Sequence, residues 1–88
     1  MSGKYLARAL HFGGPVTAEE RLILVVLGDN SDDDGFCPQA PYDFIAKMLG
    51  KPVAELQELI TGLEKRDVVN RCGPKSIEIL ITDADPFI

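Results

Sequence analysis

The sequence lacks tryptophan, has one histidine and two cysteines, and contains no long apolar run. Its longest uninterrupted apolar segment is Leu22–Leu27, whereas a membrane-spanning helix needs about 20 residues. We therefore expect no membrane segment, and the N-terminal residues do not have the pattern of a signal peptide. Cys37 and Cys72 are expected to be free thiols, so a cytoplasmic location is predicted.

Clusters of residues that carry chemistry are also missing. There is no pair of carboxylates at catalytic spacing, no Ser-His or Cys-His arrangement and no glycine-rich phosphate loop, and His11 stands alone. The four ligands of a zinc site are not present. Asn30–Gly35 starts like a calcium loop, but Pro41 occupies the last position, where a bidentate Glu is required, so a solvated turn is predicted. We expect no catalytic residue, no metal and no cofactor.

The negative charge of the chain is unevenly distributed. The net charge is −5, and residues 29–43 alone carry −5 while residues 76–88 carry −3, so the rest of the chain is slightly positive. A chain with a pI near 4.6 has no overall attraction for nucleic acid, although local basic positions can still contact phosphates.

A helix is predicted to begin after Thr17. Thr17 and Glu20 form a capping box, in which each side chain bonds the other residue's unpaired backbone amide. The apolar run Leu22–Leu27 is wider than one amphipathic stripe, so this helix is expected to be buried on most sides and to end around Gly28-Asp29, where Gly suits a left-handed cap. Upstream, residues 1–16 form either a short helix or an extended arm. Its apolar face would consist of Tyr5, Leu6, Leu10 and Phe12.

Two further helices are predicted. Pro41 fits the first turn of a helix over Tyr42–Leu49, which Gly50 ends. Pro52 fits the first turn of a helix over Val53–Arg66, in which apolar residues recur at three- and four-residue spacing. The apolar positions of the two helices are Ile45, Met48 and Leu49, and then Val53, Leu56, Leu59, Ile60 and Leu63.

The remaining residues predict a β-hairpin. Val68–Arg71 and Ser76–Ile81 have strand character, and Cys72–Lys75 separates them as a turn. The fold is therefore expected to be α+β, a winged helix-turn-helix with a three-helix core and a C-terminal β-hairpin wing. One domain is expected, with an arm or short helix at residues 1–16, the winged-helix domain at 17–81 and an acidic tail at 82–88.

Several motifs have a familiar order. The acidic loop Asp29–Gly35 is followed by Phe36-Cys37-Pro38 and by Ile-Ala-x-x-Leu-Gly at residues 45–50. In these motifs, and over most of its length, the chain resembles the helix-turn-helix domain of phage and plasmid replication-initiation proteins. The resemblance implies a winged helix that acts on DNA. The tail Thr82–Ile88 also resembles the acidic, Pro-Phe-ending tail through which bacterial single-stranded-DNA-binding proteins dock their partners.

The helix over residues 53–66 departs from this family. Such domains usually carry Ser or Thr and several basic residues on the first turns of this helix, whereas Glu55 and Glu58 stand there in this chain and would repel phosphates. A Glu can still read cytosine by accepting its amino hydrogen bond, which leaves direct readout open.

Two functions remain, and neither is enzymatic. The charge pattern slightly favours a protein-interaction module, an adaptor or inhibitor of a host factor in DNA metabolism or regulation. The alternative is a DNA-binding winged helix of replication initiation or transcription regulation. The partner-binding candidates are Lys51, Ala54, Glu55, Gln57, Glu58 and Thr61. The candidates for phosphate contacts are Lys47, Lys51, Lys65, Arg66, Arg71 and Lys75.

Overall fold

The computed structural model describes residues 3–81, which form four helices and a three-stranded antiparallel sheet. The elements are α1 Gly3–His11, α2 Ala18–Asp29, β1 Phe36–Cys37, α3 Tyr42–Leu49, α4 Val53–Lys65, β2 Val69–Arg71 and β3 Ile77–Ile79. The sheet has the order β1-β3-β2. The predicted α+β class is confirmed, and the architecture is compatible with a winged-helix-like fold. The acidic tail predicted at residues 82–88 lies outside the described residues.

The N-terminal segment is helical, which decides between the two alternatives left by the sequence. Helix α1 packs against α2, with Tyr5 and Ala9 buried. The predicted apolar face is wrong in one position, because the Leu10 side chain is exposed. Gly28 makes the close contact between the helices possible: a Cβ at this position would lie 2.8 Å from the backbone carbonyl of Tyr5. Helix α2 ends at Asp29, within the predicted range, but the left-handed cap predicted there is wrong, because Gly28 does not have a positive φ.

The capping box at the start of α2 is confirmed. The Glu20 amide donates to Thr17 Oγ1 over 3.1 Å, and the Thr17 amide donates to Glu20 Oε1 over 2.9 Å. Behind this start, Ile23, Leu24 and Leu27 have no exposed surface. Helix α2 is thus buried over much of its circumference, as its wide apolar run predicts.

Helices α3 and α4 are confirmed, with corrections at their starts and on their faces. Gly50 has a φ of 68° and ends α3 in the left-handed conformation, which glycine adopts without steric cost. Pro41 and Pro52 each occupy the N-cap position, one residue before the first turn in which they were predicted. Met48 and Val53 were predicted on the core side of their helices and are exposed.

The hairpin is present, and a strand that the sequence did not predict extends it into a sheet. Cys37 of β1 pairs with Ile77 of β3, while Val69 of β2 pairs with Ile79 on the other side of β3. Cys37 lies in this strand, and burial raises the pKa of its thiol. Ile77 and Ile79 of β3, and Ile81 after it, are all buried.

One core joins all these elements. The apolar stretches predicted for the three later helices contribute Leu24, Ile45, Leu56, Ile60 and Leu63 to it, and Val25 and Leu49 pack against it half-buried. Strand β3 adds Ile77 and Ile79, and Ile81 follows it into the core. Four helices and the sheet thus bury stripes that none of them could bury alone.

Candidate interaction surface

The residues predicted to bind a partner differ in accessibility. Ala54, Glu55 and Glu58 of α4 are exposed, whereas Gln57 and Thr61 are half-buried and accept hydrogen bonds from Arg71 of β2. The predicted residues therefore do not form one continuous surface, because Gln57 and Thr61 already form hydrogen bonds with another part of the chain.

Lys51, which was assigned to both candidate sites, is held by two carboxylates. Its ammonium lies 3.2 Å from Glu19 Oε2 and 3.7 Å from Glu55 Oε2. Hydrogen bonding to Glu19 is the main cause that raises the pKa of Lys51. The pair with Glu55 also offsets one of the two carboxylates on the α4 face. Glu58 has no ion-pair partner within residues 3–81.

The side chain of Arg71 in β2 binds three side chains of α4. Its guanidinium donates to Thr61 Oγ1 over 2.8 Å and to Gln57 Oε1 over 2.7 Å, and it lies 3.3 Å from Glu64 Oε1. The Arg71 amide also donates to Glu64 Oε2. Three α4 side chains thus fix strand β2 to the helix. Neither Arg71 nor Gln57 is free to contact a ligand in this conformation.

Arg66 follows α4 and is paired with a buried carboxylate. Its guanidinium donates to both carboxylate oxygens of Glu20, the capping residue of α2, and also to the backbone oxygens of Pro15 and Gly62. The Glu20 side chain is only 8% exposed. Hydrogen bonding from Arg66 lowers the pKa of Glu20 below its ordinary 4.5, against the opposing effect of burial.

Three of the six candidate phosphate contacts are consequently used inside the fold, namely Lys51, Arg66 and Arg71. The ammonium groups of Lys47, Lys65 and Lys75 are exposed and form no ion pair with any residue that the structure describes. They are distributed over α3, α4 and the wing turn. The sequence alone leaves all six cations available, because Glu19 and Glu20 lie 32 and 46 residues from Lys51 and Arg66, the cations that they neutralise.

An apolar surface that was not predicted from the sequence lies on α3 and at the start of α4. Phe44 is 56% exposed and Met48 is 42% exposed, and they lie four residues apart on α3. Val53 at the start of α4 is 37% exposed. A groove of about 550 Å³ lies next to them, lined by residues 39–44 together with Val53 and Lys75. We call Phe44, Met48 and Val53 the α3–α4 apolar patch.

A signal for the apolar patch was present in the sequence of α3. Residues Ile45, Ala46 and Leu49 supply one apolar stripe, while Phe44 and Met48 belong to a second stripe on the same short helix. A surface helix buries one stripe, so one of the two had to face solvent.

The acidic loop after α2 is held in a tight turn by hydrogen bonds between one of its Asp side chains and its own backbone amides. Asp32 Oδ1 accepts the amide hydrogens of Asp34 and Phe36, and Gly35 has a φ of 81°. These are the contacts of a tight turn stabilised by an Asp side chain. Within residues 3–81, no group of three or more His, Cys, Asp or Glu side chains is placed to hold a metal ion.

Between residues 3 and 81, the helices are too short or too polar to cross a membrane. In comparisons with known proteins, no protein family, no curated protein and no solved structure matched this chain.

Proposed function

We propose that the chain is a winged-helix protein-interaction module, an adaptor or inhibitor of a factor in DNA metabolism or regulation, of the kind found in phages and plasmids. One observation carries the proposal: half of the candidate phosphate contacts form internal ion pairs, while Glu58 stays unpaired on the exposed face of α4. A helix that entered a DNA groove with this face would bring a carboxylate toward phosphates without enough cations to compensate.

A binding role without catalysis is part of this proposal, and so is a cytoplasmic location. Both cysteines are free thiols, Cys37 buried and Cys72 exposed, which is typical of proteins from a reducing compartment. The proposed contact surface is the accessible part of the α4 face, Ala54, Glu55 and Glu58. A basic patch on the partner would complement it.

The DNA-binding alternative has its own supporting observation. Lys47, Lys65 and Lys75 remain available for phosphate contacts, and phosphate contacts need only exposed cations with suitable spacing. The two functions differ in the expected role of the α4 carboxylates, so substitutions there distinguish them.

The test is the double substitution Glu55→Lys with Glu58→Lys, compared with Asp33→Lys with Asp34→Lys. Both variants change the charge equally, but the second pair lies in the exposed acidic loop. Each protein is used to capture partners from nuclease-treated lysate and is titrated with duplex DNA at several salt concentrations. If α4 meets a basic protein, only the α4 variant loses the captured protein, because like charges then face each other.

The unmodified protein is expected to bind duplex DNA weakly and without sequence preference. The α4 variant should gain a DNA affinity that falls steeply with salt, as phosphate contacts do. Tight, sequence-specific DNA binding by the unmodified protein that is lost in the α4 variant would overturn the protein-interaction proposal. Such a result would make α4 a recognition helix that reads bases through its glutamates.

A further inference from the structure

The exposed apolar side chains of this protein are concentrated at one place. Five large apolar residues are exposed in the described part of the chain, and three of them form the α3–α4 apolar patch. The other two, Leu10 and Leu80, lie on α1 and after β3. Single exposed apolar residues are normal on protein surfaces. A group of neighbouring ones indicates a binding surface, because exposing a contiguous apolar area to water costs free energy that is recovered when a partner covers it.

The patch borders a concave site. Phe44 and Val53 are the exposed apolar residues in its lining, and residues 39–41, just before α3, also line it. This segment is fixed to the wing turn by the Ala40 amide, which donates to the Lys75 carbonyl oxygen over 2.7 Å. Tyr42, also in the lining, packs against the core. A volume of about 550 Å³ is in the range of sites that enclose a small ligand or a few side chains.

The cations around the groove define the charge of its occupant. Lys75 lines the groove, and Lys47 lies on α3 between Phe44 and Met48 in sequence; neither ammonium is paired within residues 3–81. Asp43 is the one carboxylate among the lining residues. The lining itself thus holds one lysine and one carboxylate, and Lys47, three residues after Phe44 on the same helix, gives this part of the surface a net charge of +1 on a chain with a net charge of −5. A second copy would be poorly matched, because a twofold contact brings the same lysines toward each other.

We propose that the groove and the α3–α4 apolar patch bind an acidic peptide segment of a partner protein. An aromatic or aliphatic side chain of that segment enters the groove between Phe44 and Val53. Carboxylates on either side of the anchor pair with Lys75 and Lys47. This is the usual anatomy of a peptide site, in which a buried apolar anchor supplies affinity and peripheral charges supply orientation. The lining of the site includes neither of the α4 carboxylates, Glu55 and Glu58, and the inference goes beyond the function proposed above.

The test uses a short synthetic peptide of Asp, Glu, Phe and Leu, with one control peptide in which Lys replaces the acids and another in which Ser replaces Phe and Leu. Binding is measured by fluorescence anisotropy and mapped by amide chemical-shift changes in ¹⁵N-labelled protein. The acidic apolar peptide should bind best and shift the amides of Phe44, Val53 and Lys75. Phe44→Ala with Met48→Ala should weaken binding about tenfold or more, the loss expected for an interface anchor.

Leu10→Ala with Leu80→Ala is the matched control, since it removes two exposed apolar side chains elsewhere and should leave binding intact. Lys75→Glu should weaken binding of the acidic peptide and keep the fold, because the ammonium has no partner in the described chain. The Glu55→Lys, Glu58→Lys variant should still bind the peptide, so failure of the α4 proposal and failure of this one are distinguishable.

Three results would overturn the inference. The first is equal binding of all three peptides, or shifts confined to residues outside the groove at peptide concentrations up to about 1 mM. The second is tighter binding of the Lys peptide. The third is concentration-dependent self-association that disappears in the Phe44→Ala, Met48→Ala variant, which would show that a second copy covers the patch.

Discussion

The Glu20 carboxylate at the start of α2 is bound by the Arg66 guanidinium at the end of α4, although 46 residues separate them in the chain. Glu20 also accepts the Thr17 amide of the capping box. One side chain thus completes a helix cap and joins two helices of the core. The carboxylate is buried, so its only compensation for lost hydration is this set of hydrogen bonds.

Replacing Arg66 is therefore expected to destabilise the fold. Arg66→Met keeps an apolar stem but leaves the buried Glu20 carboxylate without its charged partner. Loss of hydrogen bonds to a charged group has a cost of about 1.5–3 kcal/mol. Because the Arg66 side chain is 35% exposed and water can partly replace it, we expect the lower part of that range. Urea unfolding of the variant and of the unmodified protein measures this loss in the free energy of unfolding.

The matched control for Arg66→Met is Lys51→Met, which removes a lysine from a pair on the surface. Its partner Glu19 is well exposed, and surface ion pairs contribute little to stability. If both substitutions change the free energy of unfolding by the same amount, the Glu20–Arg66 pair has no special role in the fold.

The same pair makes stability depend on pH in the acid range. The pKa of Glu20 is lowered in the folded protein relative to its ordinary 4.5, so the unfolded chain binds a proton more readily. The resulting stabilisation is complete above the unfolded pKa and is lost as the pH falls through the folded pKa. We expect the Tm of the unmodified protein to decrease below about pH 5. In Glu20→Gln this decrease should be smaller, and an equally steep decrease would exclude Glu20 as its source.

The sequence predicted the features that depend on near neighbours. The capping box needs only Thr17 and Glu20, and the buried stripe of α4 follows from the spacing of Leu56, Ile60 and Leu63. Gly50 likewise marks the end of α3 without any information from the rest of the chain.

Features that arise from distant contacts escaped prediction. Strand β1 has only two residues and exists because β3, far along the chain, pairs with it. Gly28 looked like a helix cap, but its lack of a side chain serves the approach of α1. Arg66 and Arg71 were predicted to be available cations because their partners Glu20 and Glu64 meet them only once the elements are packed, and the same holds for the pair of Lys51 with Glu19. The apolar patch escaped for a related reason, since apolar character alone does not say which of two stripes faces the core.

Leu56 tests the packing of α4 against the rest of the core. Its side chain is fully buried, and Leu56→Ala should lower the free energy of unfolding by about 2–5 kcal/mol, which is a large part of the stability of a domain of this size. Leu10→Ala is the control, because Leu10 is 53% exposed and its replacement should stay within about 0.5 kcal/mol. A small effect at Leu56 would show that the rotation of α4 about its axis is different from the one described.

Two helical glycines should respond in opposite directions to the same substitution. In Gly28→Ala, the new Cβ would lie 2.8 Å from the Tyr5 carbonyl carbon and oxygen and 2.9 Å from the Leu6 nitrogen. These are backbone atoms of α1, so the helices must separate, and overpacking of this kind has a cost of about 1–3 kcal/mol.

At Gly62, a Cβ would meet only Arg66 Nη2 at 3.5 Å, an ordinary contact. Gly62→Ala should therefore raise the free energy of unfolding by up to about 1 kcal/mol through the higher helix propensity of alanine. Urea unfolding of both variants tests the pair: stabilisation by Gly28→Ala would contradict the close contact between α1 and α2, and destabilisation by Gly62→Ala would show that Arg66 cannot tolerate a methyl group beside it.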